Sequence, residues 1–409
     1  MTSPPPAAPA PSLLAGLRHM PAGIWALGFV SLLMDVSSEM IHALLPVYLV
    51  TTLGASTLAV GFIEGVAEAT AAITKVFSGA LSDWLGRRKL LAALGYGLAA
   101  VTKPVFPLAH SLGWVVAARF VDRIGKGIRG APRDALIADL APPERRGAAF
   151  GLRQSLDTAG AFLGPALAIG LMWLTADNIP LVFWAAVLPA AGAFALIVLA
   201  VHDAPDATAR KRVRAPLSRA ELAQLPSRYW WVVAASAVFT LARFSEAFLV
   251  LRAQELHLAL SLIPLVLVAM NLVYALASYP VGVLADRMSH TRLLAAGLAV
   301  LVLADLALAG VGGLAGLALG LVLWGLHMGL TQGLLAALVA ESAPASLRGT
   351  AFGVFNLVGG VALLLASVIA GSLWDAFGSR ATFLCGAAFA ALAAAALLPL
   401  ARRDEARAA

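Results

Sequence analysis

The chain has 409 residues, of which 61% are hydrophobic and only 12% charged, where an ordinary soluble domain is about half apolar and a quarter charged. The excess falls in repeated apolar blocks of about 20 residues or more, the length that crosses a bilayer as a helix, which excludes a single soluble core and points to a polytopic membrane protein. The formal net charge of +7 is no nucleic-acid footprint, because the basic residues gather in particular loops, as topology signals do.

The N-terminal stretch "MTSPPPAAPAPSLLAG" is rich in Pro and Ala and lacks the basic region of a cleaved signal peptide, so residues 1–21 read as a cytoplasmic tail. Apolar blocks between Gly, Pro and charge breaks then predict twelve spans: 22–50, 57–81, 90–109, 112–134, 148–174, 179–201, 229–251, 260–284, 292–313, 315–340, 350–374 and 380–400. Alternate connections are basic: "SDWLGRRK", "APPERRG", the 202–228 linker with "ARKRVRAPLSR", "DRMSHTR" and "APASLRG". The opposite ones, such as "TTLGAS", "HSLG" and "TADN", carry almost no basic residues, Arg252 and Arg380 being the exceptions. The positive-inside rule therefore puts both termini and the linker in the cytoplasm, with the spans in the cytoplasmic (inner) membrane. The expected organisation is a six-helix bundle over 22–201, the linker over 202–228, a second bundle over 229–400 and a cytoplasmic tail over 401–409.

The two halves repeat. "ADLAPPERRGAAFG" from Ala138 aligns without a gap on "AESAPASLRGTAFG" from Ala340, "GALSD" ending at Asp83 aligns on "GVLAD" ending at Asp286, and "SSEM" at 37–40 matches "FSEA" at 244–247. Three matches in one order imply parallel repeats related by an axis along the membrane normal, a transporter architecture.

The loop after the second span reads Gly79-Ala-Leu-Ser-Asp83-Trp84-Leu-Gly86-Arg87-Arg88-Lys89. It resembles the G-x-x-x-D-R-x-G-R-R loop of the major facilitator superfamily, with Trp84 in place of the usual Arg. The second copy, Gly282 to Asp286 and Arg287, keeps that Arg and loses the glycine–arginine tail. The resemblance, which covers about 22–400, implies an all-α polytopic fold of two pseudo-symmetric six-helix bundles, and a gating role for these loop residues. An Asp at a helix end can cap a neighbouring helix and pair with Arg, a contact that can form and break.

"ARFVDRIGKGIRGAPRD" (118–134) is the most charged span and is similar to the superfamily's fourth-helix pattern R-F-x-x-G-x-G-x-G, with Arg119, Gly125 and Gly127 on the matching positions. Arg119, Arg123 and Lys126 share a face, and Asp122 shares one with Lys126; because charge in lipid is costly, this face must look into protein or water. Arg129, Arg133 and Asp134 are expected to mark the cytoplasmic end. The fifth span holds Gly160, Gly164 and Pro165, resembling the superfamily's exporter element G-x-x-x-G-P-x-x-G-G, with Ala168 and Ile169 replacing the last glycine pair. Small residues there permit close helix packing. Arg153 and Asp157, one turn apart, read as a local ion pair.

In the first span, Asp35, Glu39 and His42 lie on one face. In the superfamily fold, helices 1, 4, 7 and 10 line the central path, which sets this acidic stripe opposite the cationic face of the fourth helix. The seventh span adds Arg243 and Glu246, the tenth His327 and Gln332, and the second Glu64, Glu68 and Lys75 with unassigned orientation. The expected function is secondary active transport, with Asp35, Glu39, Asp122 and Glu246 as proton carriers and Arg119, Arg123, Lys126, Arg243, His327 and Gln332 as substrate ligands. Proton-coupled efflux of a polar, charged or zwitterionic drug or metabolite is the primary expectation. Import of a small organic ion by symport and transport of a transition metal or its chelate are the alternatives, and permanent structural salt bridges are another reading of the same charges. For a metal path, Glu39, Met40 and His42 are the available donors, but Met40 falls on another face from His42. Cys385 is the only cysteine, so no internal disulfide forms and no cysteine-based metal site is expected. No G-x-S-x-G, H-E-x-x-H or P-loop occurs, which argues against an enzyme or an ATPase. The expected partners are a small-molecule substrate, protons and the lipid bilayer, with no nucleic acid, no cofactor and no resident metal, acting as a monomer.

Overall fold

A chain in hydrocarbon must satisfy each backbone N–H and C=O within its own segment, so apolar runs broken only by Gly, Pro and short polar loops fold as helices. The computed structural model describes residues 20–85, 87–142, 145–203, 222–285, 288–331, 334–344 and 347–408, and among these there is no strand. Twelve long helices follow in chain order: α1 (Ala22–His42, continued by Leu45–Thr51), α2 (Thr57–Leu85), α3 (Arg88–Thr102, continued by Val105–Leu108), α4 (Leu112–Leu140), α5 (Arg146–Leu174) and α6 (Ile179–Ala200). The second half has α7 (Ser227–Ala242, continued by Ala247–Glu255), α8 (Leu265–Ala285), α9 (His290–Gly310), α10 (Gly313–Thr331, continued by Leu334–Ser342), α11 (Arg348–Phe377) and α12 (Ser379–Ala408). Residues 1–19 of the expected tail and 204–221 of the linker lie outside the described residues. Among the described residues eleven helices are long and apolar enough to cross a membrane. The twelfth, α4, is 29 residues long and falls short only because of its charges.

Local chemistry sets the helix ends and breaks. Asn178 caps α6 by accepting from Leu181 N at 3.2 Å, with Pro180 in the first turn, where its missing N–H costs nothing. Gly378, at φ 81°, takes the left-handed conformation that turns α11 directly into α12. The α7 break at 243–246 begins with Arg243 at φ −109°, ψ 79°, and the α3 break follows from Pro104.

The packing repeats between halves. In the first half α1 packs on α5 and α6, α3 on α4 and α6, and α2 on α4. Adding six to each number gives the packing of the second half: α7 on α11 and α12, α9 on α10 and α12, and α8 on α10. The halves meet along α2–α11 and its symmetric counterpart α5–α8. Close approach of α2 and α11 depends on glycine: a Cβ on Gly61 would lie 2.2 Å from Ser367 O, and one on Gly371 would lie 2.6 Å from Thr57 O. At the short-loop end the halves are also joined by a side chain. Asp375, in the last turn of α11, accepts from Thr57 N at 3.0 Å and Leu58 N at 2.9 Å, and from the Thr57 hydroxyl. A carboxylate of one half thus caps a helix of the other.

Gly160 and Gly164 lie where α5 crosses α1. A Cβ on Gly160 would sit 2.8 Å from Leu32 O, and one on Gly164 would sit 2.7 Å from the Cβ of Glu39. This contact sets the height of Glu39 in the bundle. Gly164→Val should destabilise the protein by about 1–3 kcal/mol through overpacking, read as a lower thermal midpoint in detergent. Gly170→Ala, further along the same helix with nothing within 4 Å of its Cβ position, should leave the midpoint unchanged or raise it slightly.

Candidate functional site

Charges inside a membrane bundle persist only if they pair or face water. Two helix-4 cations take their partners from α2: Arg119 Nη2 donates to Glu64 Oε2 at 2.7 Å, and Arg123 Nη1 lies 3.1 Å from Glu68 Oε1. Arg119 also donates to His42 Nδ1 at 3.1 Å. Of the α1 stripe expected opposite α4, His42 thus meets Arg119. The carboxylates that neutralise the two cations stand on α2, whose Glu64 and Glu68 occupy successive turns against α4.

Asp122 pairs with Lys103 Nζ at 3.0 Å, and the same ammonium donates to Ser38 Oγ at 3.1 Å. This network links α1, α3 and α4 and does not line the cavity between the halves, so Asp122 is a buried partner rather than a cavity-facing carboxylate. Lys103 escaped the sequence reading although the signal was there: a charge inside a predicted span, immediately before Pro104. Arg129 does not simply mark a helix end. It is buried with its guanidinium 4.8 Å from the centroid of the Tyr96 ring, a cation–π contact in a site shielded from water. Arg133 donates to Ser31 Oγ at 3.1 Å and to Asp134 Oδ1 at 3.2 Å, and Arg153 pairs with Asp157 at 2.6 Å.

Between the halves lies a cavity of about 370 Å³. The N-terminal half contributes Glu39 and His42 from α1, Glu64 and Glu68 from α2, and Arg123 and Lys126 from α4. The C-terminal half contributes Phe239 and Thr240 from α7, the whole 243–246 break, Leu335 from α10 and Leu363 from α11. The break turns Arg243 and Glu246 into this space, 3.7 Å apart. Glu39 and Glu246, equated by the internal repeat, thus face one cavity from opposite halves. Glu39 and Lys126 make no ion pair or hydrogen bond with any described residue, whereas Glu64, Glu68 and Arg123 are already paired.

The other expected ligands lie elsewhere. Arg119 is 2% exposed and turned into its α2 pair, so it is corrected from a ligand position to a buried one. His327 is fully buried, with Nδ1 2.8 Å from Gly297 O, so it is held in the core of the second half and is likewise corrected. Asp35 lies beside Gly160 on α5, under the charges of Asp157, Arg129, Arg133 and Lys126, and is not among the cavity-lining residues. Of the loop residues, Gly79 packs near Ala131 of α4, Arg87 is the non-helical residue that immediately precedes α3, and Arg88 donates to Asp139 and, at 3.1 Å, to Ala135 O. Gly86, Asp286, Arg287 and Gln332 lie outside the described residues, and so do the surroundings of Asp83 and Gly282.

Removing one partner of a buried ion pair strands the other charge, at a cost of about 3–5 kcal/mol. Glu64→Gln and Arg119→Gln should each lower stability by that order, and the double variant by clearly less than the sum, measured as thermal midpoints of the purified protein. Simple additivity would mean that the pair carries no coupling.

The profile of the Major Facilitator Superfamily matches residues 27–362 and again 244–409. An uncharacterized MFS-type transporter of Methanocaldococcus jannaschii is 34% identical over 391 residues, 93% of this chain and 95% of that one. The quinolone resistance protein NorA of Staphylococcus aureus is 26% identical over 218 residues, 53% of this chain and 54% of its own. Among solved structures, the peptide transporter POT superposes with a TM-score of 0.80, covering 94% of this chain and 95% of that one, at 16% identity, a likeness of fold alone. With a matching profile, a relative of this identity along nearly its whole length and the shared twelve-helix fold, the chain belongs to the Major Facilitator Superfamily and is a membrane transporter of small molecules, working by secondary transport and not as an enzyme.

Proposed function

We propose that the protein exports a small solute carrying both signs of charge, a zwitterion above all, in exchange for protons. The observation that carries this reading is the presence in one cavity of a carboxylate, Glu39, and an ammonium, Lys126, both without partners among the described residues. A group already held in an ion pair must break that pair to bind a ligand, and a free one need not. Glu39 receives the cationic end of the solute, and Lys126, helped by Arg243, receives the anionic end. When the cavity meets the proton-rich side, a proton on Glu39 removes the charge that held the cation, and the solute leaves. Solute and proton compete for one carboxylate, which is sufficient for antiport. Asp35 and Glu246 remain further proton carriers in this scheme, Glu246 being the one that faces Glu39 across the cavity, whereas Asp122 is held by Lys103 outside it.

Support for the outward direction comes from the Gly160, Gly164 and Pro165 element of α5 and from partial similarity to a quinolone resistance protein. A quinolone with a basic ring substituent is itself a zwitterion and is the first probe to try. The basic loops set both termini in the cytoplasm, and the protein then acts as a monomer in the inner membrane.

In proteoliposomes with an imposed pH gradient, the wild-type protein should drive a zwitterionic fluoroquinolone against its gradient. Glu39→Gln should lose most of the pH-driven component and, because Glu39 also holds the cationic end, should raise the apparent KM of solute exchange at equal pH, as should Lys126→Gln at the anionic end. If Glu39→Gln and Asp35→Asn both retain wild-type proton coupling, neither residue is a carrier.

A further inference from the structure

Helix α9 is among the most apolar of the twelve, with a mean hydropathy of 2.3 over its most apolar 18 residues, and it packs on α10 and α12 away from the central cavity. Yet Asp305 stands in its interior, 0% exposed, with neither carboxyl oxygen hydrogen-bonded to any described residue and no ion pair among them. Glycine makes its room: a Cβ on Gly386 of α12 would lie 2.6 Å from Asp305 Oδ2 and 2.9 Å from Phe244 Cε1. The carboxyl therefore sits behind Phe244, the residue that follows Arg243 in the α7 break and itself lines the cavity. Two polar atoms of α10, Trp324 Nε1 and His327 Nε2, are likewise without a partner among the described residues. The Trp324 ring lies 5.6 Å from Phe244 and 6.5 Å from His327. Among the described residues, the titratable group whose charge is coupled to Asp305 from the helices packed on it is Cys385 of α12.

A carboxylate buried without donor or counter-ion is far more costly than a carboxylic acid, which hides one O–H and no charge. Ionisable side chains inside membrane helices point to function by default. We infer that Asp305 is a proton-binding site of the C-terminal bundle, separate from the cavity carboxylates and walled from them by Phe244, which gives up its proton when movement of the α7 break lets water reach it. Its use as a second proton position rests on the exchange proposed above; its protonation in this conformation does not.

The test is infrared difference spectroscopy on the purified full-length protein in lipid nanodiscs, with no solute and no gradient. At neutral pH the wild-type protein should show the carbonyl stretch of a carboxylic acid, lost in Asp305→Asn and retained in Glu39→Gln and Asp35→Asn. The band should shift in heavy water, as an exchanging proton requires. Should Asp305→Asn fail to fold, Gly386→Ala, which sets a methyl group against Oδ2, should move the frequency of the same band. An unchanged spectrum in Asp305→Asn, an unmoved band in Gly386→Ala, or a band that never exchanges with heavy water would each overturn the inference. Loss of pH-driven transport in Glu39→Gln with the Asp305 band intact separates the two sites, and failure of the export reading leaves the spectrum a test in its own right.

Discussion

The ion pairs between α4 and its neighbours are the constraint around which the first half is built. Arg119, Asp122 and Arg123 cross the low-dielectric interior on one helix, and each requires an opposite charge within hydrogen-bond reach. Glu64 and Glu68 on α2 and Lys103 on α3 supply them, which fixes the rotation of all three helices about their axes. Once α2 is held against α4 on one side, its opposite side is free to run along α11, where glycines let the backbones approach. The interface between the halves therefore inherits its position from charges that never touch it.

This arrangement sorts the polar groups of the bundle into two populations. The paired ones are held by partners on adjacent helices, and moving them would leave a charge stranded. Glu39 and Lys126 stand in the cavity without an ion pair or hydrogen bond to any described residue, and Arg243 and Glu246, 3.7 Å apart on the broken α7, face the same space. The helix break is what places them there: the residues of 243–246 leave the regular hydrogen-bond ladder, and Arg243 and Glu246 turn into the cavity. The short-loop end is held by the Asp375 cap on α2 and the close α2–α11 contact. These contacts are local and join the two halves at that end.

The twelve spans, the break into two sixes and the polar face of α4 were legible in the sequence, because each depends on a property carried by a segment alone: apolar length, basic loops, or charges at helical spacing. The internal repeat did more, equating Glu39 with Glu246 before their shared cavity was known. The identity of the ion-pair partners was not legible in the same way. Helical spacing states which residues share a face, but not which helix that face meets. The acidic stripe of α1 was set opposite α4, where Asp35 does lie under Arg129, Arg133 and Lys126, but the acids that pair with Arg119 and Arg123 come from α2. The same limit placed His327 and Arg119 on the path when both are turned into helix contacts.

What the sequence determined by itself, then, was class, the number and order of the spans, and the repeat, through the free energy of each segment in lipid. What only the tertiary structure decided was azimuth and company: that Lys103 answers Asp122, that Asp375 caps a helix more than three hundred residues away in the chain, and that Asp305 has no answer among the described residues. Electrostatic partners are chosen by distances of a few ångströms across helix interfaces, and those distances exist only once twelve helices have packed.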